Sequence, residues 1–408
     1  MEVMHRRCAG LDVHKETVVA CARIQESRKA ETQTRTFATT VKGLLELAHW
    51  LEQKSCTHVA MEATGSFWKP VWHVLEGAFE LVLANASHIR NVPGRKTDVK
   101  DAEWIAQLLA HGLIRPSFVP PRPIQELRDL TRTRKQLVRE VVQHTQRIQK
   151  TLECANVKLD NVISDILGKT GRAILEALIQ GETDPEELAK LRRPGIRAAH
   201  EELVEALRST ITPHHRFMLR FHLDQIDALE KGIATLDNEL ESALEPFRHK
   251  AELLATIPGV SDITAQVLLA EIGDDMTRFP SPAHLVSWAS LCPRNDESAG
   301  KRRSKRIMPG GKWLKATLVQ SAWAAVATKD SYLRARFYRL RARRGPTKAI
   351  VAVAASMLTA AYFILRDNVP YRELGPAHFD RLRSAKTIQH LVRRLHNLGY
   401  EVRLEPVA

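Results

Sequence analysis

Between Ile114 and Gln125 the chain reads IRPSFVPPRPIQ, and its four prolines separate two incompatible hydrophobic patterns. Proline has no backbone N–H and clashes with a preceding helical turn, so neither a helix nor a central strand runs through this stretch. Upstream, short apolar runs at 8–13, 17–24, 57–61 and 79–84, with another extended stretch near 33–39, alternate with helical patterns at 42–53, 67–77 and 99–111. That order predicts an α/β unit, a mixed sheet covered by helices. Downstream the pattern is wholly helical. Leu127, Leu130, Leu137, Val141, Ile148 and Leu152 recur at spacings of three, four and seven, and a second run holds Leu219, Leu223, Ile226, Leu229, Ile233, Leu236, Leu240 and Leu244. Both runs predict long helices with a coiled-coil-like seam, paired antiparallel, with 155–215 between them. That intervening stretch matches no recognised motif.

After Pro246 the pattern shifts again, so the expected division is 1–115, 116–250 and 251–408. The segment LLATIPGVSDITAQVLLAEIGD, 253–274, has a Pro-Gly hinge and a helix starting at Asp262. Further helices are expected after Gly310-Gly311, over 330–344 and over 347–366, and the tail should add a short helix and a strand.

The chain carries 61 Lys and Arg against 47 Asp and Glu, a formal charge of +14. A polyanion is the natural partner, with nucleic acid ahead of an anionic membrane surface. The five cysteines are scattered, without a CxxC pair, which argues against a zinc finger or a disulfide framework and fits a reducing cytoplasm. The N-terminus MEVMHRRCAG lacks the apolar stretch of a signal peptide. AIVAVAASMLTAAYFIL, 349–365, is short for a membrane span and rich in Ala, so it reads as a buried helix, and no membrane partner is expected.

Four carboxylates bear on chemistry. Asp12 interrupts an apolar strand, where a carboxylate is costly without a cation or several donors. Glu62 ends the apolar run THVAME. Asp98 and Asp101, three apart in KTDVKDAEWIAQLL, share one face of a helix. Converging carboxylates repel unless a divalent cation lies between them, and oxygen donors suit Mg2+ or Mn2+. Each residue also has a plainer reading. Asp12 can meet backbone donors at a hairpin, Glu62 can sit at the surface, and Asp98 with Asp101 can cap a helix.

GLDVHKETVVA, MEATGSFW and KTDVKDAEWIAQLL resemble three blocks of the DEDD transposases of insertion sequence family 110. IPGVSDITAQVLLAEIGD and CPRNDESAGKRRSKRIMPGGKWLKATLVQSAW are similar to that family's second signature domain. The blocks span nearly the whole chain in order. The resemblance implies a RuvC-like, RNase H-type sheet domain with Asp12, Glu62, Asp98 and Asp101 as its Mg2+- or Mn2+-binding tetrad. It implies a helical C-terminal domain whose serine, mapping onto Ser298, attacks DNA. It further implies a bacterial, nucleoid-associated recombinase that excises and inserts its own element. A noncoding bridge RNA would guide it to donor and target DNA, and dimers would pair into tetramers on DNA through the long helices.

Chemistry alone leaves Ser298 open, because a serine hydroxyl needs a base or a metal to become a nucleophile, and a Ser in a Gly- and Lys-rich loop is ordinarily just a loop residue. Around it, Gly300 would permit close backbone approach, and Lys301, Arg302, Arg303, Lys305 and Arg306 would meet phosphates. Ser290 and Ser304 are weaker alternatives. IPGVSD resembles a helix–hairpin–helix turn in which Gly259 and its neighbours would contact phosphate, or it is a plain interhelical turn. Arg95 and Lys96 lie beside the tetrad in sequence and would hold the scissile phosphate. The basic helical faces at 132–150 and 332–345 would hold nucleic acid or simply face solvent. The competing functions are a RuvC-like nuclease or junction resolvase without a covalent step, and a noncatalytic nucleic-acid scaffold.

Overall fold

A computed structural model describes residues 2–26, 29–85, 89, 101–293, 296–298, 301–304, 306–308, 310–382 and 384–405. The chain divides into two compact units, Met1–Val119 and Pro120–Ala408, the second beginning at the Pro120-Pro121 pair. The second unit runs without a break through residue 250, where the sequence pattern predicts a further boundary.

In the first unit β1 (Arg7–Val13), β2 (Thr17–Ile24), β3 (Glu31–Ala38), β4 (His58–Glu62) and β5 (Glu80–Ala84) form one sheet in the order β3-β2-β1-β4-β5. The first three strands are antiparallel neighbours, and β4 and β5 join β1 in parallel, so the sheet is mixed. Period-two alternation decides the faces. Ala9, Leu11 and Val13 of β1 and Val59 and Met61 of β4 enter one core, covered by α1 (Val41–Gln53) and α2 (Trp68–Leu75) through Leu44, Leu47, Leu51, Val71 and Leu75. Thr40 starts α1 by accepting from the Gly43 N–H at 3.2 Å. Cys8 and Ala60 enter the opposite core, with Ile105, Leu108 and Leu109 of α3 (Asp101–Ala110).

The second unit is built on α4 (Arg122–Cys154), 33 residues long. Past its end come α5 (Lys169–Gln180), α6 (Pro185–Lys190) and α7 (His200–Leu207), and then α8 (Pro213–Leu244), 32 residues long. The long helices are antiparallel: Arg134 pairs with Asp237, and His144 meets His222. Residues 155–215 fold over one end of the pair around Leu159, Ile174, Leu178, Leu188, Leu203 and Leu207, all fully or almost fully buried. Beyond α8 follow α9 (Arg248–Ala255), α10 (Asp262–Ile272), α11 (Pro282–Trp288), the hairpin β6 (Asp296–Ser298) and β7 (Lys301–Ser304), α12 (Lys312–Ala327), α13 (Tyr332–Arg344) and α14 (Pro346–Asp367). Among the described residues α14 alone is long and apolar enough to cross a membrane. It packs against α9, α11, α12 and α13, with Val353, Ala354, Met357 and Leu358 fully buried. The tail forms α15 (Ser384–Asn397), and 400–405 hold no strand, contrary to the sequence expectation.

A buried carboxylate ties α4 to α10. Glu271, 3% exposed, accepts from Arg132 Nε at 2.7 Å and Nη2 at 2.8 Å. Arg128 donates to the Ala270 and Glu271 carbonyls at 3.0 and 2.7 Å, satisfying the C-terminal carbonyls of α10. Burial pushes the Arg128 guanidinium down to about 10, against the pull of Glu271, and it remains a cation at neutral pH. Replacing Glu271 with Ala leaves the buried Arg128 and the half-buried Arg132 guanidinium groups without their carboxylate, at a cost of about 2–4 kcal/mol, below the full cost of stranding a buried charge because Arg132 reaches solvent. Urea unfolding checks this against Arg122→Ala, which breaks only an exposed pair with Glu126 and should cost less than about 0.5 kcal/mol.

The seam also contains a titrating pair. His144 Nδ1 and His222 Nδ1 lie 3.2 Å apart, which requires at least one neutral ring. Burial lowers both histidines below the ordinary value, and Arg147 adds to the effect. The unfolded chain therefore takes up these protons first. Stability is full above about pH 6.5 and falls as pH drops through that value, levelling off once the folded pair is protonated. Between pH 7.5 and 5, wild type should lose more stability in urea than His144→Leu, and equal losses would refute the assignment.

Candidate active site

Asp12 and Glu62 stand side by side at the carboxyl ends of two parallel strands. The β1–β4 register pairs Leu11 with Met61, and the carboxylates are the next residue on each strand. Both are half-buried, and alternation puts them on the α3 face of the sheet, with Gly10 and Ala60. Three contacts set the direction of α3. Ala102 lies over Gly10, the Ala106 carbonyl meets the Cys8 thiol at 3.6 Å, and the Ala110 carbonyl accepts from the Met4 and His5 N–H groups. The helix thus runs antiparallel to β1, and its first residue, Asp101, lies toward the strand end that carries Asp12. The structure therefore brings Asp12, Glu62 and Asp101 to one face and one end of the sheet. Asp98, Arg95 and Lys96 lie outside the described residues.

Gly10 makes this arrangement possible. A Cβ on Gly10 would stand 2.2 Å from the Ala102 carbonyl oxygen and 2.3 Å from the Ala106 nitrogen, both backbone atoms. Ala102 and Ala106 are correspondingly small and buried. His14 adds a group that the sequence reading missed. Its Nε2 lies 3.1 Å from Asp12 Oδ2, with 58% of the His14 side chain exposed. The signal was present, because His14 directly follows β1 and stands two residues from Asp12, the spacing at which extended chain returns to one face. The buried thiols of the unit are poor nucleophiles and ligands: desolvation pushes Cys8 up to about 12 and Cys56 to about 11.

Ser298 ends β6 and pairs in register with Lys301, the first residue of β7, and Glu297 pairs with Arg302. A further bridge joins Pro293 to Ile307. The expected irregular loop is thus a β-hairpin, with Ser298, Lys301, Arg302 and Arg303 on its strands. Gly300 and Lys305 lie outside the described residues. Arg306 is exposed and already engaged within the chain. Ser290, at 2% exposure, is too buried to meet a phosphodiester, and Ser304 closes β7.

Gly259 has a packing role. At φ +80° its Cα faces α12, where a Cβ would stand 2.4 Å from the Ser321 carbonyl oxygen and 2.5 Å from the Ala325 nitrogen. This close approach accounts for the glycine without a ligand. The basic face at 132–150 is in part committed inside the protein, with Arg139, Arg147 and Lys150 exposed. Arg134 pairs with Asp237, Lys135 donates to Thr317 at 2.7 Å, and Arg139 lies over Trp313.

Residues 9–156 match a model for the DEDD domain of IS110 elements, described as a transposase, and 251–339 match one described as transposase of the IS116/IS110/IS902 family. A 43.6 kDa protein of insertion element IS110 from Streptomyces coelicolor is 30% identical over 317 residues, 70% of this chain and 74% of its own length. The chain belongs to the IS110 family of transposases. The pilin gene-inverting protein of Moraxella bovis is 25% identical over 382 residues, 90% of this chain and 98% of that protein. The transposase of element IS1328 from Yersinia enterocolitica is 28% identical over 270 residues, 65% of this chain and 69% of its own.

IS110-family membership makes DNA the substrate, with strand cleavage and rejoining as the reaction class. The DEDD domain also points to dependence on a divalent metal. The carboxylates on the α3 face are an all-oxygen set of the kind a hard cation takes. Among the described residues no three His, Cys, Asp or Glu side chains close into a metal-binding group. The donor chemistry fits, and the described part of the cradle is incomplete. The first family match ends where α4 ends and the second begins in α9, so the end cap and α8 lie between them.

Because α3 is seated on Gly10, Gly10→Ala should displace the helix that begins at Asp101. The expected cost is about 1–3 kcal/mol in urea unfolding of the purified protein, together with loss of DNA cleavage. An unchanged midpoint would show that α3 does not depend on this contact.

Proposed function

We propose that this IS110-family transposase is a bridge-RNA-guided recombinase that cleaves and rejoins DNA through a phosphoserine link. Asp12, Glu62, Asp98 and Asp101 would hold Mg2+ or Mn2+, which when bound would neutralise charge on the scissile phosphate. The observation that carries the reading is the gathering of Asp12, Glu62 and Asp101 at one end of the β1–β4 pair. The strand order β3-β2-β1-β4-β5, with β2 antiparallel to its neighbours, supports a RuvC-like, RNase H-type domain.

In this reading Ser298 Oγ bonds to phosphorus, one phosphorus–deoxyribose oxygen bond breaks, and the released hydroxyl end takes the proton. Attack by a different hydroxyl end reverses the step and joins new strands, so the diester energy is conserved. Lys301, Arg302 and Arg303 of the hairpin would hold the phosphate, together with Gly300, Lys305, Arg95 and Lys96. The serine would be supplied by another subunit of a dimer, two dimers forming a tetramer on DNA. Exposed apolar residues on the long helices, Val138 and Val142 on α4 and Phe217 and Phe221 on α8, support association there.

One observation favours a second reading. His14, paired with Asp12, is suitably placed to accept a proton from water, which would make the enzyme a metal-dependent nuclease without a covalent step. The test uses the full chain copurified with the noncoding RNA of its element, with Mg2+ and donor and target DNA. Wild type should give a protein–DNA adduct stable to denaturation and strand-exchanged products. Ser298→Ala should abolish both, and Asp12→Asn, Glu62→Gln or Asp101→Asn should lower cleavage by a factor of about 100 or more. Nicks with free hydroxyl ends that persist in Ser298→Ala would establish the second reading, and exchange without the RNA would remove the guide.

A further inference from the structure

The basic helix α13 carries a cleft that neither the carboxylate face nor the serine hairpin uses. Arg336, Arg339 and Arg343 recur at spacings of three and four on one face of the helix. With Leu340, Phe379 and Leu382 they line a cleft of about 320 Å³. No acidic side chain lines it among the described residues. Arg343 is exposed. Arg336 Nη1 donates to the Tyr332 hydroxyl at 3.2 Å, while its Nε is buried and meets no acceptor. Three guanidinium groups thus share a confined space with no described counter-charge, an arrangement that repels itself and that an anion relieves.

The cleft is also aromatic. The Arg339 guanidinium lies over the Phe379 ring, 4.9 Å from its centroid. Phe379 is stacked on Tyr332, with centroids 5.1 Å apart and an interplanar angle of 23°. Planar cations layered on rings offer faces for a base, and unpaired guanidinium N–H groups offer donors for a phosphate. A duplex hides its base faces and presents only phosphates, whereas an unpaired strand presents both. The volume admits about one nucleotide, by comparison with the ~300–1,000 Å³ of drug-sized sites. The family reaction breaks and rejoins DNA, and a strand that changes partners is unpaired at the moment of exchange.

We propose that the cleft of Arg336, Arg339, Arg343 and Phe379 holds an unpaired segment of the DNA strand during exchange. This rests on the family's action on DNA and not on the serine step or the guide RNA. The test is fluorescence anisotropy of the full chain with a labelled 12-nucleotide oligo(dT), a duplex of equal length and an oligo(U) of equal length. Phe379→Ala should weaken oligo(dT) on the order of tenfold and leave the duplex unchanged, since a duplex has no base face to stack. Arg339→Ala/Arg343→Ala should weaken oligo(dT) at least as much and make its salt dependence shallower by about one to two counterions. Arg343→Ala alone, at an exposed position, should weaken oligo(dT) with an unchanged melting temperature, which separates binding from misfolding. Wild-type oligo(dT) affinity in all three variants would overturn the proposal. So would equal losses for duplex and single strand, or losses confined to oligo(U).

Discussion

The first unit depends on one backbone-to-backbone contact, the seating of α3 on Gly10. The Ala102 carbonyl and the Ala106 amide occupy the space in which any other residue would carry its Cβ. Helix packing on a sheet normally leaves room for side chains from both partners, and here one partner contributes none. The result is a helix held low across β1 and directed along it, with Ala110 bonded to Met4 and His5 at one end. Everything chemical in the unit lies at the other end. The β1–β4 register fixes Asp12 beside Glu62, and the seating of α3 fixes Asp101 relative to both. Carboxylates repel as they approach, so gathering them at one strand end takes a rigid scaffold beneath. The core formed by Leu11, Val13, Val59, Met61, Leu47 and Leu51, on the face away from the carboxylates, provides it.

The second unit shows why net charge is a poor guide to where a polyanion sits. The helix α4 is rich in arginine and lysine, yet four of its cations are drawn inward, Arg128 and Arg132 to Glu271, Arg134 to Asp237 and Lys135 to Thr317, while Arg139, Arg147 and Lys150 stay exposed. Helix α13 is equally basic. There Leu333 and Phe337 form the buried stripe and most of the arginines remain on other faces. The first arrangement fastens helices to one another, and the second leaves charge available to a partner. Composition cannot distinguish them, because the difference lies in whether an acid or a ring stands opposite.

What the sequence made legible follows the same logic. The strands and helices of the first unit appear within a few residues of their periodic signals, because alternation and helical spacing report directly on which faces are buried. The antiparallel long helices were legible for the same reason, as was the burial of α14. The ion pair between Arg132 and Glu271 was not, since it joins residues far apart in sequence. Gly259 in the α9–α10 turn read as a phosphate contact or a plain turn, and, like Gly10 inside β1, it is a site where two backbones touch. The hairpin that carries Ser298 was read as a loop because its run of like charges masked any alternation. The tail strand failed for want of a partner strand.

The residues between the two family-matched stretches have a physical task that needs no motif. A pair of helices more than 30 residues long, each about 50 Å, slides in register unless something fixes it. At one end, residues 155–215 enclose the helix ends in a core of their own, with Ile148 and Leu152 of α4 and Leu219, Leu223 and Ile226 of α8 in a single cluster. Towards the other end, Arg134 with Asp237 sets the register by charge. Leu137 against Gly232, between these two, sets it by shape. Such constraints are satisfied by many sequences of the right period and volume, which is why this region can fold without matching a family model. In the proposed reading the carboxylate and serine stretches would have no such latitude, because a displacement there would move reacting atoms and not merely packed ones.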